Sequence, residues 1–224
     1  MRGIIFDLDD TLYLRADFMR SGFEAVARYV AHSWRLDRHD VFATLMAAHA
    51  GARRGREFQA ICEEHRLPRS AVAALVTVFR KHRPSIVLAD DIRRALVQLR
   101  QDGWRLVVLT NGAPAVQRNK VAALGIDALV DGVVYAEEHA AGGKPDRAAF
   151  QAALDCLRLP ASNCICVGDD PLCDIEGAGR LGMQTIRVVR SEQDDTPEAD
   201  AAIASIADIV ACARALLSEA VDAA

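Results

Sequence analysis

An apolar run at residues 3–6, with two Ile and a Phe, gives way at once to Asp7, Asp9 and Asp10. Its length and composition are those of a buried strand, so the chain opens on a strand that ends in acid. From Tyr13 to about residue 86 the pattern is mostly helical, as in Phe23, Val26, Ala27 and Val30, with no strand-like alternation. It predicts four helices, over residues 17–34, 37–51, 56–66 and 69–82, punctuated by Pro68 and Pro84 and capped by Asp37 and Ser70.

From Ile86 onward helix and strand alternate. The pattern predicts a helix over 90–101, a β-branched strand over 105–109 (RLVVL), a helix over 114–124 stopped by Gly125, and a short strand over 132–135. A loop over 137–143 leads to Lys144-Pro145, where Pro145 and Asp146 are expected to open a helix that runs to 157. Strand 164–167, helix 174–181, strand 185–189, a weak strand at 201–203 and a terminal helix over 206–218 complete the series. Repeated strand–helix units imply a parallel sheet with helices on both faces. The expected fold class is α/β, a Rossmann-like three-layer core of residues 1–13 and 86–224, with residues 14–85 as an inserted α-helical subdomain.

In such sheets ligands bind beyond the carboxyl ends of the strands. Asp7, Asp9, Thr110, Asn111, Asp169 and Asp170 each follow directly on an apolar run, so they are expected to converge on one edge. Side chains alternate along an extended chain, which puts Asp7 and Asp9 on the same side. Two carboxylates in one small space repel each other unless a hard cation sits between them or one holds a proton. Thr11 adds a hydroxyl at that turn, although Asp and Thr are also ordinary turn residues.

With 224 residues, 51% hydrophobic and 26% charged, the chain can form one large domain or a domain plus an insertion. A formal charge of −4 gives no basic footprint for a nucleic acid polymer. No apolar run reaches the roughly 18 residues of a membrane span, and Met1-Arg2 runs into a strand without a signal-peptide layout, so a cytoplasmic protein is expected. Six cysteines, at 62, 156, 164, 166, 173 and 212, show no CxxC pair and read as reduced thiols, mostly small packing residues. Residues 177–182 fit GxGxxG, but they follow a helix and precede a strand, the reverse of a dinucleotide loop.

Taken together, Asp7-Leu8-Asp9-Asp10-Thr11, Thr110-Asn111-Gly112, Lys144-Pro145, and Gly168-Asp169-Asp170 with Asp174 resemble the four ordered motifs of the haloacid dehalogenase (HAD) superfamily of phosphohydrolases. The inserted helices resemble the cap these proteins often carry after the first motif. The resemblance implies a phosphatase acting on a small phosphorylated metabolite, such as a sugar phosphate or a nucleoside monophosphate. Asp7 would be the nucleophile that forms an aspartyl-phosphate, and Asp9 the general acid and base. Dehalogenases of the family lack an acid at the position of Asp9.

By the same resemblance, Thr110 and the Asn111 backbone N–H would donate to phosphate, and Lys144 would supply a point charge. Mg²⁺ would be held by Asp7, the Asp9 carbonyl and Asp169. Asp174 has three readings: an outer ligand, an orienter of Lys144, or a helix cap; Asp170 shares the first two. His49, Arg53, Arg54 and Arg56 cluster near a turn of the helical insertion, where they would either hold a second anionic group of the substrate or form a solvated loop. A phosphomutase of the same fold and a non-catalytic phosphate-binding protein are the alternatives. Neither motifs nor composition fixes the oligomeric state.

Overall fold

Strand β1 (Arg2–Phe6) is buried from Gly3 onward and lies at the middle of a six-stranded sheet in a computed structural model that describes residues 1–189 and 199–222. On one side β2 (Trp104–Thr110) pairs with it and β3 (Gly132–Tyr135) lies beyond; on the other come β4 (Cys164–Gly168), β5 (Gln184–Val188) and β6 (Ala201–Ile203). Every pairing is parallel. The chain builds outward from β1 through β2 to β3, then crosses back to β4 and builds the other way. In open parallel sheets such a reversal marks the strand end where ligands bind, here the carboxyl end of β1. Phe6 lies opposite Val108 and Val167, and the Asp7 N–H donates to the Val167 carbonyl at 2.8 Å, so the chain stays in register as it enters the acidic turn.

The strands are near-continuous apolar runs because helices cover them. Helix α7 (Arg147–Leu157) sets Phe150, Ala153 and Leu157 against Ile5, Val107, Leu109, Cys164 and Cys166. Alternate residues Ile4, Leu106 and Val108 are equally buried and belong to the opposite face. Helix α5 (Asp90–Gln101) packs on β2 and on α9 (Ile209–Asp222), burying Ala95, Leu96 and Leu99. Helix α6 (Pro114–Leu124) begins with its proline and ends at Gly125 in the left-handed region, as expected of helix start and stop. The architecture is the α/β, Rossmann-like core expected.

The chain divides into two compact units, Met1–Leu14 with Val87–Ala224, and Arg15–Ile86. The second is all helix: α1 (Arg15–Trp34), α2 (Arg38–Ala50), α3 (Glu57–Glu64) and α4 (Ala71–Lys81) close on Phe23, Val26, Val30, Val41, Leu45, Ile61 and Leu75. Gly22 is where α1 meets Phe79 of α4, since a Cβ there would stand 2.3 Å from that ring. Asp37 caps α2 by accepting from His39 N at 2.7 Å and Asp40 N at 3.1 Å.

Four local expectations need correction. Ser70 has helical backbone angles, φ −61° and ψ −20°, and its side chain caps nothing, because a cap needs an extended backbone to bring its oxygen under the first turn. The third helix stops at Glu64, and Arg66 turns left-handed at φ 55°. Pro145 stands ahead of α7 rather than in its first turn; Asp146 is the cap, accepting from Ala148 N at 2.8 Å. The helix expected over 174–181 begins instead at Pro171 as a wide π turn, Pro171–Glu176, that passes into α8 (Gly177–Gly179). Asp170 caps that turn through the N–H groups of Leu172 and Cys173, which moves the start three residues forward. Among the described residues no helix is long and apolar enough to cross a membrane.

Candidate active site

The loop after β3 brings Lys144 to the carboxyl end of β1, and Asn111, at the end of β2, holds it there. Asn111 Nδ2 donates to the Lys144 carbonyl at 3.0 Å while the Lys144 N–H donates to Asn111 Oδ1 at 2.7 Å. The neighbouring Gly143 has φ 70°, and a Cβ on it would stand 2.3 Å from Asn111 Oδ1, so only glycine admits the clamp. Anchored in this way, Lys144 Nζ donates to Asp7 Oδ1 and to Asp174 Oδ1, each at 2.6 Å. Asp174 rises from the π turn after β4, and its Oδ2 accepts the Asp170 N–H at 3.1 Å. A Cβ at Gly168 would come within 2.2 Å of that oxygen, which explains the glycine that ends β4.

Asp169 completes the group. Its Oδ1 accepts from the Thr11 hydroxyl at 3.3 Å, and its carbonyl accepts from Arg187 Nε at 3.4 Å. One carboxylate oxygen from each of Asp7, Asp169 and Asp174 lies within 4.8 Å of the others. Two of these acids, Asp7 and Asp174, share one lysine and the third lies beside them, in a place largely closed to water. Burial pushes the Asp7 carboxyl up to about 7, against the pull of Lys144 and with the help of Asp174. Burial, then Asp7 and Asp10, push Asp169 up to about 6. Asp174 is raised by burial as well, although Lys144 opposes it. For Lys144 burial disfavours the ammonium, but Asp174 and Asp7 outweigh it and hold the proton on. Buried carboxylates short of positive charge and offering hard oxygen donors suit a divalent cation such as Mg²⁺.

Asp9 points to different neighbours. Lys120 Nζ donates to both of its oxygens at 2.7 Å, Gln117 Nε2 donates to Oδ2 at 2.9 Å, and the Tyr13 hydroxyl donates to Oδ1. Burial alone would raise this carboxyl, but Lys120, Tyr13 and Gln117 hold it below the usual carboxylate range. Gln117 Nε2 also donates to Thr110 Oγ1, which ties Asp9 to the end of β2. Sequence reading assigned no role to Gln117, Lys120 or Tyr13. A signal for two of them exists in α6, whose buried face is Gln117, Lys120, Val121 and Leu124: two polar residues on a stripe at core spacing.

The structure thus brings Asp7, Asp9, Thr110, Asn111, Lys144, Asp169 and Asp174 to the strand ends, and gives Asp170 a capping bond. His49, Arg53, Arg54 and Arg56 belong to the helical unit. There His49 Nδ1 pairs with Glu57 Oε1 at 2.8 Å and Arg53 pairs with Glu63 at 3.3 Å. In the Gly-rich run at 177–182, Gly177 serves packing, since a Cβ there would meet the Phe150 ring at 2.7 Å, and Gly182 turns left-handed at φ 78° after the helix. Burial pushes the Cys173 thiol up to about 11, which leaves little thiolate.

Known proteins resemble this chain in sequence and in fold. The chain is 28% identical over 223 residues to glyceraldehyde 3-phosphate phosphatase of Methanocaldococcus jannaschii, covering 94% of this chain and 96% of that one. It is 31% identical over 154 residues to phosphoserine phosphatase of Thermus thermophilus, covering 69% and 61% of the two chains. Among solved structures, a HAD phosphatase from Thermococcus onnurineus superposes with a TM-score of 0.62 at 18% identity, over 93% of this chain and 96% of that one. A 2-haloacid dehalogenase from Pseudomonas syringae gives a TM-score of 0.65 at 24% identity, over 96% and 99%. A family model for haloacid dehalogenase-like hydrolases matches residues 1–182, and with the ordered motifs gathered at one sheet edge the chain belongs to that family.

Proposed function

We propose that the protein is a Mg²⁺-dependent phosphomonoester hydrolase that acts on a small phosphorylated metabolite, such as a sugar phosphate or nucleoside monophosphate, through an aspartyl-phosphate on Asp7. The observation that carries this reading is the convergence of Asp7, Asp169 and Asp174 at the carboxyl ends of β1 and β4, with Lys144 bonded to Asp7 and Asp174. Full-length relatives named as phosphatases support the reaction class. Asp7, Asp169 and the Asp9 carbonyl would hold Mg²⁺, and Asp174 would orient Lys144. When bound, the ion supplies the positive charge that lets a carboxylate and a phosphate approach each other.

Asp7 attacks phosphorus, and the bond to the leaving oxygen breaks as that oxygen takes a proton from the protonated form of Asp9, which Lys120, Tyr13 and Gln117 make a strong acid. Asp9, now a carboxylate, takes a proton from water; the water oxygen attacks phosphorus and the bond to Asp7 breaks. Lys144 and the Thr110 hydroxyl face the charge that shifts onto the phosphoryl oxygens. In this reading residues 1–13 and 86–224 carry the chemistry, and the helical unit is the cap that selects the substrate.

A panel of phosphate esters assayed with and without Mg²⁺, combined with acid quenching to trap phosphate on the protein, tests the proposal. Turnover should require the ion, and Asp7→Asn should lower it at least ~10⁴-fold and abolish trapped phosphate, as expected for loss of a covalent nucleophile. An Asp7→Asn protein with wild-type rates on an aryl phosphate would refute it.

A further inference from the structure

Lys120 is only 4% exposed and Gln117 2%, and neither is used in the steps above. A lysine that deep needs a charged partner, because an unpaired buried ammonium is strongly disfavoured. Its partner is Asp9, bonded through both oxygens at 2.7 Å. Gln117, one helical turn earlier, gives its amide to the same carboxylate and to the Thr110 hydroxyl. Helix α6 therefore reaches the acid–base residue and the phosphate-facing hydroxyl through two side chains. A carboxylate fixed at both oxygens has one orientation, while one on a free χ angle samples several. Mere neutralisation of buried charge would require only Lys120, and would not require the amide that bridges Asp9 to Thr110.

We infer that Lys120 and Gln117 are positioning residues for Asp9, holding its carboxylate in the orientation from which it activates water after the phosphoryl group has moved to Asp7. The inference rests on the phosphatase reading above. Lys120 and Gln117 hold both oxygens of Asp9 in place, and the second step is the one in which those oxygens must take a proton from water. Losing Lys120 therefore slows release of phosphate from Asp7 more than its capture, when the leaving group needs no proton.

The test is rapid-mixing kinetics on Lys120→Met with two substrates, an aryl phosphate whose leaving group departs unprotonated and an alkyl phosphate whose leaving group does not. With the aryl ester, one equivalent of phenolate should appear within about 3-fold of the wild-type rate. Steady turnover should then slow roughly 100-fold, the low end of what a positioned acid–base group contributes. Phosphate trapped on Asp7 should accumulate to match. With the alkyl ester no burst should appear, because Asp9 is needed in both steps. The burst itself counts folded, competent sites. If Lys120→Met does not fold, Lys120→Gln, which keeps a neutral N–H donor group, should show the same burst with turnover slowed about 10-fold.

A folded variant in which burst and turnover fall together, or in which turnover stays at the wild-type rate, overturns the inference. Failure of the wild-type protein to form trapped phosphate overturns the phosphatase reading instead.

Discussion

Asp7 and Asp9 stand two residues apart at the end of one strand, and each has a buried lysine within 2.7 Å, yet their surroundings differ in charge balance. Lys144 is shared between Asp7 and Asp174, with Asp169 close by, so that pocket holds more negative charge than positive. Lys120 gives both of its described bonds to Asp9, and an amide and a phenol add to them. The first pocket is short of a cation and the second is not. A metal would therefore gain most beside Asp7, whereas in the proposed reaction the Asp9 side chain is the one that exchanges protons. One short acidic turn has two electrostatic environments because helix α6, the π turn and the loop after β3 supply different partners.

The sharpest way to break this contrast is to remove the shared lysine. Lys144→Met leaves Asp7 and Asp174 buried without a counter-charge, a change that costs about 3–5 kcal/mol when one partner of a buried ion pair is lost. At about 2–4 °C per kcal/mol for a domain of this size, the melting temperature of the metal-free protein should fall by roughly 10 °C. Turnover should fall about 10³-fold with loss of the charge facing the phosphoryl oxygens. Thermal denaturation and an aryl phosphate assay read both effects. If the variant melted with the wild type, the lysine would not be balancing the acids.

How far this contrast was legible in the chain depends on what kind of contact made it. The strand ends could be read, because RLVVL followed by Thr110 and ICV followed by Gly168-Asp169 mark both a buried strand and its exit. Parallel topology then forces those exits to one edge, so Asp7, Thr110 and Asp169 could be expected together without any distance, whereas Lys144, beyond the loop after β3, was placed there only by resemblance to the family. Lys120 could not be paired with Asp9, since 111 positions separate them and an isolated lysine in a helix normally faces water. The π turn at Pro171–Glu176 has no periodicity in sequence, so its capping by Asp170 emerged only from backbone geometry. Gly143 and Gly168 look like loop glycines until the atoms that would collide with a Cβ are known.

A cation sharpens the contrast through pH. Asp7 rises from an ordinary carboxylate value to about 7 and Asp169 to about 6, so between about pH 4 and 7 the folded metal-free protein binds more protons than the unfolded chain. A raised carboxyl therefore makes folding less favourable as pH climbs through that window. Mg²⁺ competes for the same oxygens and must displace those protons, so its stabilisation should grow as pH rises. At pH 8, Mg²⁺ at 100 times its dissociation constant contributes about 2.7 kcal/mol, or roughly 5–10 °C in melting temperature. At pH 5 the same concentration should shift it by under about 2 °C, as protonation weakens binding by roughly 100-fold. Equal shifts at the two pH values would show that the ion does not bind at Asp7.

The smallest effect belongs to the other pocket, where Asp9 should respond to the loss of a single neutral donor. Tyr13→Phe removes the phenol that donates to Asp9 Oδ1 and keeps the ring, which is 5% exposed, in place. Lys120 and Gln117 remain, so the carboxylate keeps its charge partner and its bridge to Thr110. A single hydrogen bond of this kind is worth about 0.5–1.5 kcal/mol, or roughly 2- to 10-fold in rate. That loss should fall on the release of phosphate from Asp7, with the aryl burst unchanged and the Mg²⁺ shift at pH 8 unchanged. A weakened Mg²⁺ shift would mean that the two pockets are coupled through the turn that joins them, and that Asp9 is not electrostatically separate from Asp7.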